Sequence, residues 1–407
     1  MSGTAGSFTP RVRDSGGQWP APPATWSYSS LRDATDCPRR WMLSRATYPG
    51  LWDRRGYPPQ PSLTALAGDI IHATVDTVLT ALRAHGCRTS ADPAAVAVLK
   101  GIGGYTRLVE DGIAAALATL AGNPRAAGKT AALGTALQLK VPEMRQRIQS
   151  IIARAPVSLA ADDPAAAAPG RPGPLPAGSY PEADLRAPDL RLAGRADLLT
   201  VTADGCEITD YKTGSADPRH ADQVRLYALI WSRDTALNPG GLPARRLILS
   251  YPSRDEEVQP PTAADLDALA ADTAAQITAA ETALRDRPPP ARPSGVNCAL
   301  CGVRQLCDDY WAFLANRPAG ESRAPGWLDF EGTAIRQNGP RSWLLASQAD
   351  GSQLLLRTLT EQVPFAAGDR LRVLGLRHAA PDAAVPAAAM TPMSEIFILD
   401  GPAADHR

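Results

Sequence analysis

The sequence predicts an α/β chain in which a mixed strand-and-helix core follows a long helical segment and precedes a small all-β module. Three observations predict it. Two apolar runs flank Ala203-Asp204-Gly205 as the arms of a hairpin would, and a helical run and another strand follow them. Upstream, residues 26–155 are mainly helical in period, with alanine-rich stretches. After Pro325 the texture changes to short apolar runs separated by turn residues.

Residues 1–25 are rich in Gly, Ser, Pro and Thr and read as a flexible arm. A helical period opens at Gly68-Asp69-Ile70-Ile71-His72 and continues through Val75, Val78, Leu79 and Leu82, which places His72 near a helix start. Helical texture continues to about 155, and residues 160–178 form a low-complexity loop. Residues 194–201 and 206–212 are the hairpin strands. With Asp204-Gly205 as a two-residue loop, paired positions sum to a constant and Asp197 faces Lys212; a three-residue loop shifts the pairing by one. Either way Asp197 lands beside 210–212, where Asp210 and Lys212 share one strand face. A helix over 220–232 puts Gln223 and Tyr227 on one face. Residues 246–251 read as a strand, and 262–285 as a long helix that ends before Pro288-Pro289-Pro290.

Two carboxylates and an ammonium on an otherwise apolar strand pair suit metal-assisted phosphodiester hydrolysis. Carboxylates hold Mg²⁺ or Mn²⁺, which keep waters and accept phosphate oxygens, and a lysine can orient the attacking water and stabilise developing charge. The alternative is a surface ion pair between Asp210 and Lys212 on an exposed hairpin.

Taken together, Gly-x-x-x-His at 68–72, Gly-Arg-x-Asp at 194–197, Asp-x-Lys-Thr-Gly at 210–214 and Gln-x-x-x-Tyr at 223–227 resemble, in this order, the RecB-type nucleases of the PD-(D/E)xK superfamily. The resemblance covers 26–311. It implies a restriction-endonuclease-like core with a helical insertion over about 73–155, in a nuclease domain spanning 26–317. It also implies that His72, Asp197, Asp210 and the Tyr211 carbonyl hold the metal. Lys212 is then the catalytic lysine, and Gln223 and Tyr227 support the site or contact DNA.

Cys298, Cys301 and Cys307 form a cluster that needs a fourth ligand, and no histidine lies near it. Cys37, in Cys37-Pro38-Arg39-Arg40-Trp41, is the fourth ligand in the branch of the family that carries a [4Fe–4S] cluster, similar to the AddB nuclease domain and the CRISPR-associated exonuclease. A four-thiolate zinc site is the alternative. Joining Cys37 to Cys298 closes a very long loop, worth roughly 5 kcal/mol by analogy with disulfides. Cys206 reads as a core residue, and Cys87 receives no role.

The 407 residues carry 42 basic and 42 acidic side chains, so the chain is no polybasic coat and DNA contact falls to local patches. Arg39, Arg40, Arg45, Arg54 and Arg55 form one candidate, and Arg145 with Arg147 another. No stretch reads as a membrane span or a signal core, so a cytoplasmic protein without a membrane partner is expected. The phosphate-loop look-alike from Gly122 to Thr130 has five residues between its glycines where the motif needs four, and no strand precedes it; no nucleotide binding is expected.

Residues 327–334, 342–347, 353–359, 370–376 and 396–399 read as five short strands and fit a small β-barrel of the oligonucleotide-binding (OB) type over 326–400. Trp343, Arg357, Arg370 and Arg372 are its candidates for base stacking or phosphate contact, and protein docking is the competing use. The resemblance to RecB-type nucleases implies a DNA exonuclease acting on single-stranded or frayed ends in repair, recombination or defence, with a separate helicase or defence partner. The competing readings are an endonuclease of a restriction or defence system and a non-catalytic DNA-end-binding subunit of a helicase complex.

Overall fold

The computed structural model describes residues 19–49, 51–52, 56–155, 157, 173–212, 214, 216–251, 253–316, 326–381 and 383–399. Most of the expected arm, most of the low-complexity loop, Arg54, Arg55 and Thr213 lie outside the described residues.

Helices α1 (Tyr28–Asp36) and α2 (Pro38–Arg45) meet at Cys37, and Pro38 takes the first turn of α2, where its missing N–H costs nothing. The hydroxyl of Ser62 accepts from the Ala65 amide and starts α3 (Leu63–Ala84) earlier than its period suggests. His72 therefore sits in mid-helix, not near a helix start. With α4 (Ala95–Gly101), α5 (Gly104–Thr119), α6 (Thr130–Leu139) and α7 (Val141–Arg154), α3 builds a helical lobe around Val78, Leu82, Val109, Leu137 and Ile148. The glycine-flanked stretch from 122 is a loop between α5 and α6, holding a 3₁₀ turn, Pro124–Ala126, whose Arg125 amide donates to the Asn123 side chain. By length and composition α3 could cross a membrane, contrary to expectation, but half of that window is buried inside the protein.

Five strands follow: β1 (Gly178–Ala187), β2 (Leu192–Val201), β3 (Cys206–Tyr211), β4 (Ala244–Ser250) and β5 (Asp255–Val258), ordered β1-β2-β3-β4-β5. Only β3 and β4 pair in parallel, and helix α8 (Arg219–Arg233) makes the crossover between them. One face of the sheet packs α1, α8 and α9 (Ala263–Ala283) around Trp26, Leu199, Ile208 and Trp231. The other face sends Leu198 and Tyr211 into the helical lobe.

The hairpin register differs from both expected forms. Val201 pairs with Cys206 and Leu198 with Thr209, so four residues, 202–205, make the turn. The Thr202 hydroxyl explains the longer loop, since it donates to Asp204 Oδ1 at 2.7 Å and to the Gly205 carbonyl at 3.0 Å. Asp197 consequently stands across from Asp210, not Lys212.

After α10 (Gly295–Ala299) and α11 (Asp308–Ala315), six strands form the C-terminal module: β6 (Trp327–Gly339), β7 (Ser342–Ser347), β8 (Gln353–Arg357), β9 (Arg370–Ala380), β10 (Ala387–Ala389) and β11 (Glu395–Leu399). The ring β6-β7-β8-β10-β9 closes back on β6, β8 and β10 run parallel, and β11 is added outside on β9. Strand β10 escaped the sequence reading because three alanines carry no strand preference. Trp343 is buried in the barrel core, with its ring 4.9 Å from that of Phe365, so it cannot stack on a base. Arg372 is likewise buried, bonded to Asp308 (2.6 Å), Glu331 (3.0 Å) and the Gln305 carbonyl (2.8 Å). Both belong to folding and docking rather than to nucleic-acid contact.

The barrel is docked, not tethered. Asp329 accepts from Arg304 and from the Tyr310 hydroxyl at 2.7 Å each. Glu395 takes a bidentate pair from Arg125 (3.1 and 2.6 Å) and a third bond from Lys129 (3.2 Å). Arg125 also donates to the Gly302 carbonyl at 2.6 Å, so helical lobe, cysteine segment and barrel meet at one side chain.

Candidate active site

Strand β2 brings Asp197 and β3 brings Asp210 to one end of the sheet, and the helical lobe closes over them with His72. Asp197 Oδ2 accepts the Tyr211 backbone N–H at 2.6 Å, and its Oδ1 lies 3.5 Å from His72 Nδ1. This fixes the carboxylate between the hairpin and α3. Burial alone would lower the His72 pKa. The hydrogen bond and charge of Asp197, helped by Glu182 and Asp210, outweigh that and hold it above the usual imidazole value.

Lys212 lies just beyond β3. Its ammonium is 2.5 Å from Asp210 Oδ2 and donates to Gln223 Oε1 at 2.8 Å. Gln223 Nε2 in turn donates to the Tyr227 hydroxyl at 2.7 Å. One helical turn of α8 thus aims the lysine. The Gln-x-x-x-Tyr spacing has a packing cause as well. A Cβ on Gly194 would lie 2.7 Å from the Tyr227 ring, so only glycine lets that ring reach the sheet. Arg147 on α7 donates to the Lys212 carbonyl and pins the chain from the other side.

Asp210 is the most perturbed carboxyl of the group. Burial, then the charge of Asp197, push it up to about 6 against the opposing pull of Lys212. Its Oδ2 is buried, with the Lys212 ammonium against it at 2.5 Å. A buried carboxylate beside a second carboxylate and an imidazole is a set of oxygen and nitrogen atoms that fits a hard divalent cation.

The profile of the PD-(D/E)XK nuclease superfamily matches residues 25–308. The chain belongs to the PD-(D/E)XK nuclease superfamily. Membership implies phosphodiester hydrolysis with a divalent metal and a DNA substrate. No curated protein matches the chain. Among solved structures, one titled "Crystal structure of the tetrameric p202 HIN2" is 13% identical over 18% of this chain and 42% of that one. Its TM-score of 0.16 carries no argument.

The sheet of this superfamily member, with α3 and α8, brings together the residues predicted for the nuclease site: His72, Asp197, Asp210, Tyr211, Lys212, Gln223 and Tyr227. It also adds Glu182, which sequence reasoning missed. Ligand atoms of His72, Glu182 and Asp197 all lie within 4.8 Å of one another, the one such group among the described residues. Pro181 pairs with Leu198 and Ala183 with Ala196, so Glu182 falls opposite Asp197. It sits in a kink of β1 at φ +51°, a conformation that a non-glycine residue rarely adopts and one that clusters at functional sites. Burial and the charge of Asp197 raise its pKa. The alternation of Ala183, Leu185 and Ala187 with Asp184 and Arg186 was the available strand signal.

Cys37, Cys298, Cys301 and Cys307 line one small cavity beside α2, but their sulfurs do not form a group of three within 4.8 Å of one another. Burial pushes Cys301 up to about 11 and Cys307 up to about 12, and Cys37 adds to both. Four cysteines on one cavity are residue types that suit a soft metal or cluster, though their sulfurs are not gathered within 4.8 Å of one another here. Cys87 and Cys206 lie in the two hydrophobic cores. The arginines beside Cys37 are mostly committed internally. Arg40 bonds Asp33, Asp36 and the Asn297 carbonyl, and Arg39 bonds the Pro289 carbonyl.

Proposed function

We propose that the protein is a Mg²⁺- or Mn²⁺-dependent exonuclease that hydrolyses single-stranded or frayed DNA ends. The observation that carries the nuclease centre is a lysine held by Gln223 against a buried carboxylate, beside the His72–Glu182–Asp197 group. His72, Asp197, Asp210 and the Tyr211 carbonyl would hold the metal. When bound, it supplies positive charge to the phosphate and lowers the pKa of a bound water. Lys212 orients the attacking water and donates to the phosphate oxygen that gains charge as the P–O bond breaks. Gln223 holds Lys212 in register, and Tyr227 holds Gln223. Glu182 is a further carboxylate for the same centre.

The four thiols are proposed to hold a [4Fe–4S] cluster that staples Cys37 to the Cys298–Cys307 segment; zinc is the alternative. The C-terminal ring order, with its third and fifth strands parallel, supports an OB-type reading of that module. A separate helicase or defence partner fits a chain with no nucleotide-binding loop among its described residues. The complete set of Asp197, Asp210 and Lys212 favours a working enzyme over a non-catalytic end-binding subunit. The test compares end-labelled linear single and double strands with circular single strands, in Mg²⁺ and in Mn²⁺. Degradation of linear DNA with intact circles supports the exonuclease reading. Cleavage of circles supports the endonuclease one.

A further inference from the structure

Four of the eight exposed large apolar side chains among the described residues line a single groove: Val296, Leu300, Trp327 and Met393. The groove holds about 1930 Å³ and runs from Gln223 and Arg219 at the active site, past the loop between Cys298 and Cys301, to the edge of the barrel. Of its six basic side chains, Arg40, Lys129 and Arg304 are held in internal ion pairs, which leaves Arg32, Arg45 and Arg219 as its partly exposed cations. The groove is therefore apolar, cationic and continuous with the catalytic lysine's partner.

Resting on the nuclease reading, we propose that this groove is the binding track for a single strand of DNA that feeds the metal centre. Trp327 on β6 is its stacking surface, Leu300, which is 95% exposed, an apolar contact beside it, and Arg32, Arg45 and Arg219 its phosphate contacts. Bases offer their faces only when unpaired, so an apolar floor favours a single strand over a duplex, which presents phosphates. An apolar peptide would find no use for the cationic excess. The arginines are available: Arg32, Arg45 and Arg219 are 35%, 35% and 46% exposed, and their carboxylate partners are surface pairs that a phosphate can displace. The barrel then contributes through its edge residue Trp327, while Trp343 stays in its core.

The test is fluorescence anisotropy on the full chain in EDTA, with labelled oligo-dT of 4, 8 and 16 nucleotides and a blunt duplex. Affinity should rise with strand length and exceed that for the duplex. Trp327→Ala should weaken the 16-mer about 5- to 150-fold, the range for loss of one base-stacking partner, and Leu300→Ala should weaken it by less. Both side chains are exposed, so circular dichroism should not change. If both variants bind the 16-mer like wild type, or the duplex binds as tightly, the track is overturned, even if the protein cleaves DNA. If wild type cleaves no DNA but the length dependence and its loss in Trp327→Ala hold, the nuclease reading fails and the track stands.

Discussion

Replacing Gln223 by leucine tests how the lysine is held. Leucine keeps the side chain's bulk on α8 but removes both bonds, the one accepted from Lys212 at 2.8 Å and the one donated to Tyr227 at 2.7 Å. A hydrogen bond to a charged group is worth about 1.5–3 kcal/mol. Lys212 keeps its ion pair with Asp210, so the loss falls on its alignment, and at 1.36 kcal/mol per tenfold the rate should drop about 10- to 150-fold. Tyr227→Phe keeps the ring packed on Gly194 and removes only a neutral bond, worth about 0.5–1.5 kcal/mol, or roughly 2- to 13-fold. The two residues act in series, so the double variant should be no slower than Gln223→Leu alone. Single-turnover cleavage of an end-labelled oligonucleotide at saturating Mg²⁺ measures this, with thermal melting as the folding control. A Gln223→Leu rate within twofold of wild type, or additive losses in the double variant, would refute the relay.

Acid should undock the barrel. Burial would raise the carboxyls of Asp329 and Glu395, but Arg304 lowers the first, and Arg125 with Lys129 the second, below their ordinary values. Groups depressed in the folded state stabilise it above the unfolded carboxyl pKa of about 4 and cease to do so as pH falls through the folded values. Hydrogen-exchange protection in α11 and β9, corrected for the intrinsic rate at each pH, should therefore fall as pH drops below about 4; protection that grew on acidification would contradict the sign. Anaerobically purified protein should be brown with about four irons per chain. Cys37→Ser should lose colour and stability together, whereas a colourless protein with one zinc would identify the other metal. Trp343→Ala should cost about 3–5 kcal/mol of barrel stability, as for other large core truncations. A Trp343→Ala protein that melts like wild type but binds DNA poorly would return Trp343 to the surface.

The site was largely legible because its motifs are local. Glycine before Asp197, alternation along β3 and a four-residue step on α8 each leave a mark in sequence. The register did not follow, because Thr202 draws two further residues into the turn through side-chain bonds that no hydrophobic pattern encodes. Glu182 was hidden by Pro181, which interrupts the strand signal, and by a kink that the sheet imposes. In the barrel the strands could be read but their inward and outward faces were confused. Trp343 and Arg372 look like ligand-binding residues in isolation. One is buried by closure of the ring, and the other by docking onto Asp308 and Gln305, contacts set by distant parts of the chain.

The central claim is that Asp210 and Lys212 form a metal-dependent hydrolytic centre with Asp197 and His72. Its most direct test is release of label from a 5′- or 3′-labelled single strand by wild type, Asp210→Asn and Lys212→Ala, each in Mg²⁺, in Mn²⁺ and in EDTA. The account predicts cleavage by wild type that EDTA abolishes, and loss of at least about 100-fold in each variant, the scale for removing one transition-state charge contact. It also predicts that all three proteins stay folded and bind the strand in EDTA. Wild-type cleavage that survives EDTA, or variants that cleave as fast as wild type, would contradict it.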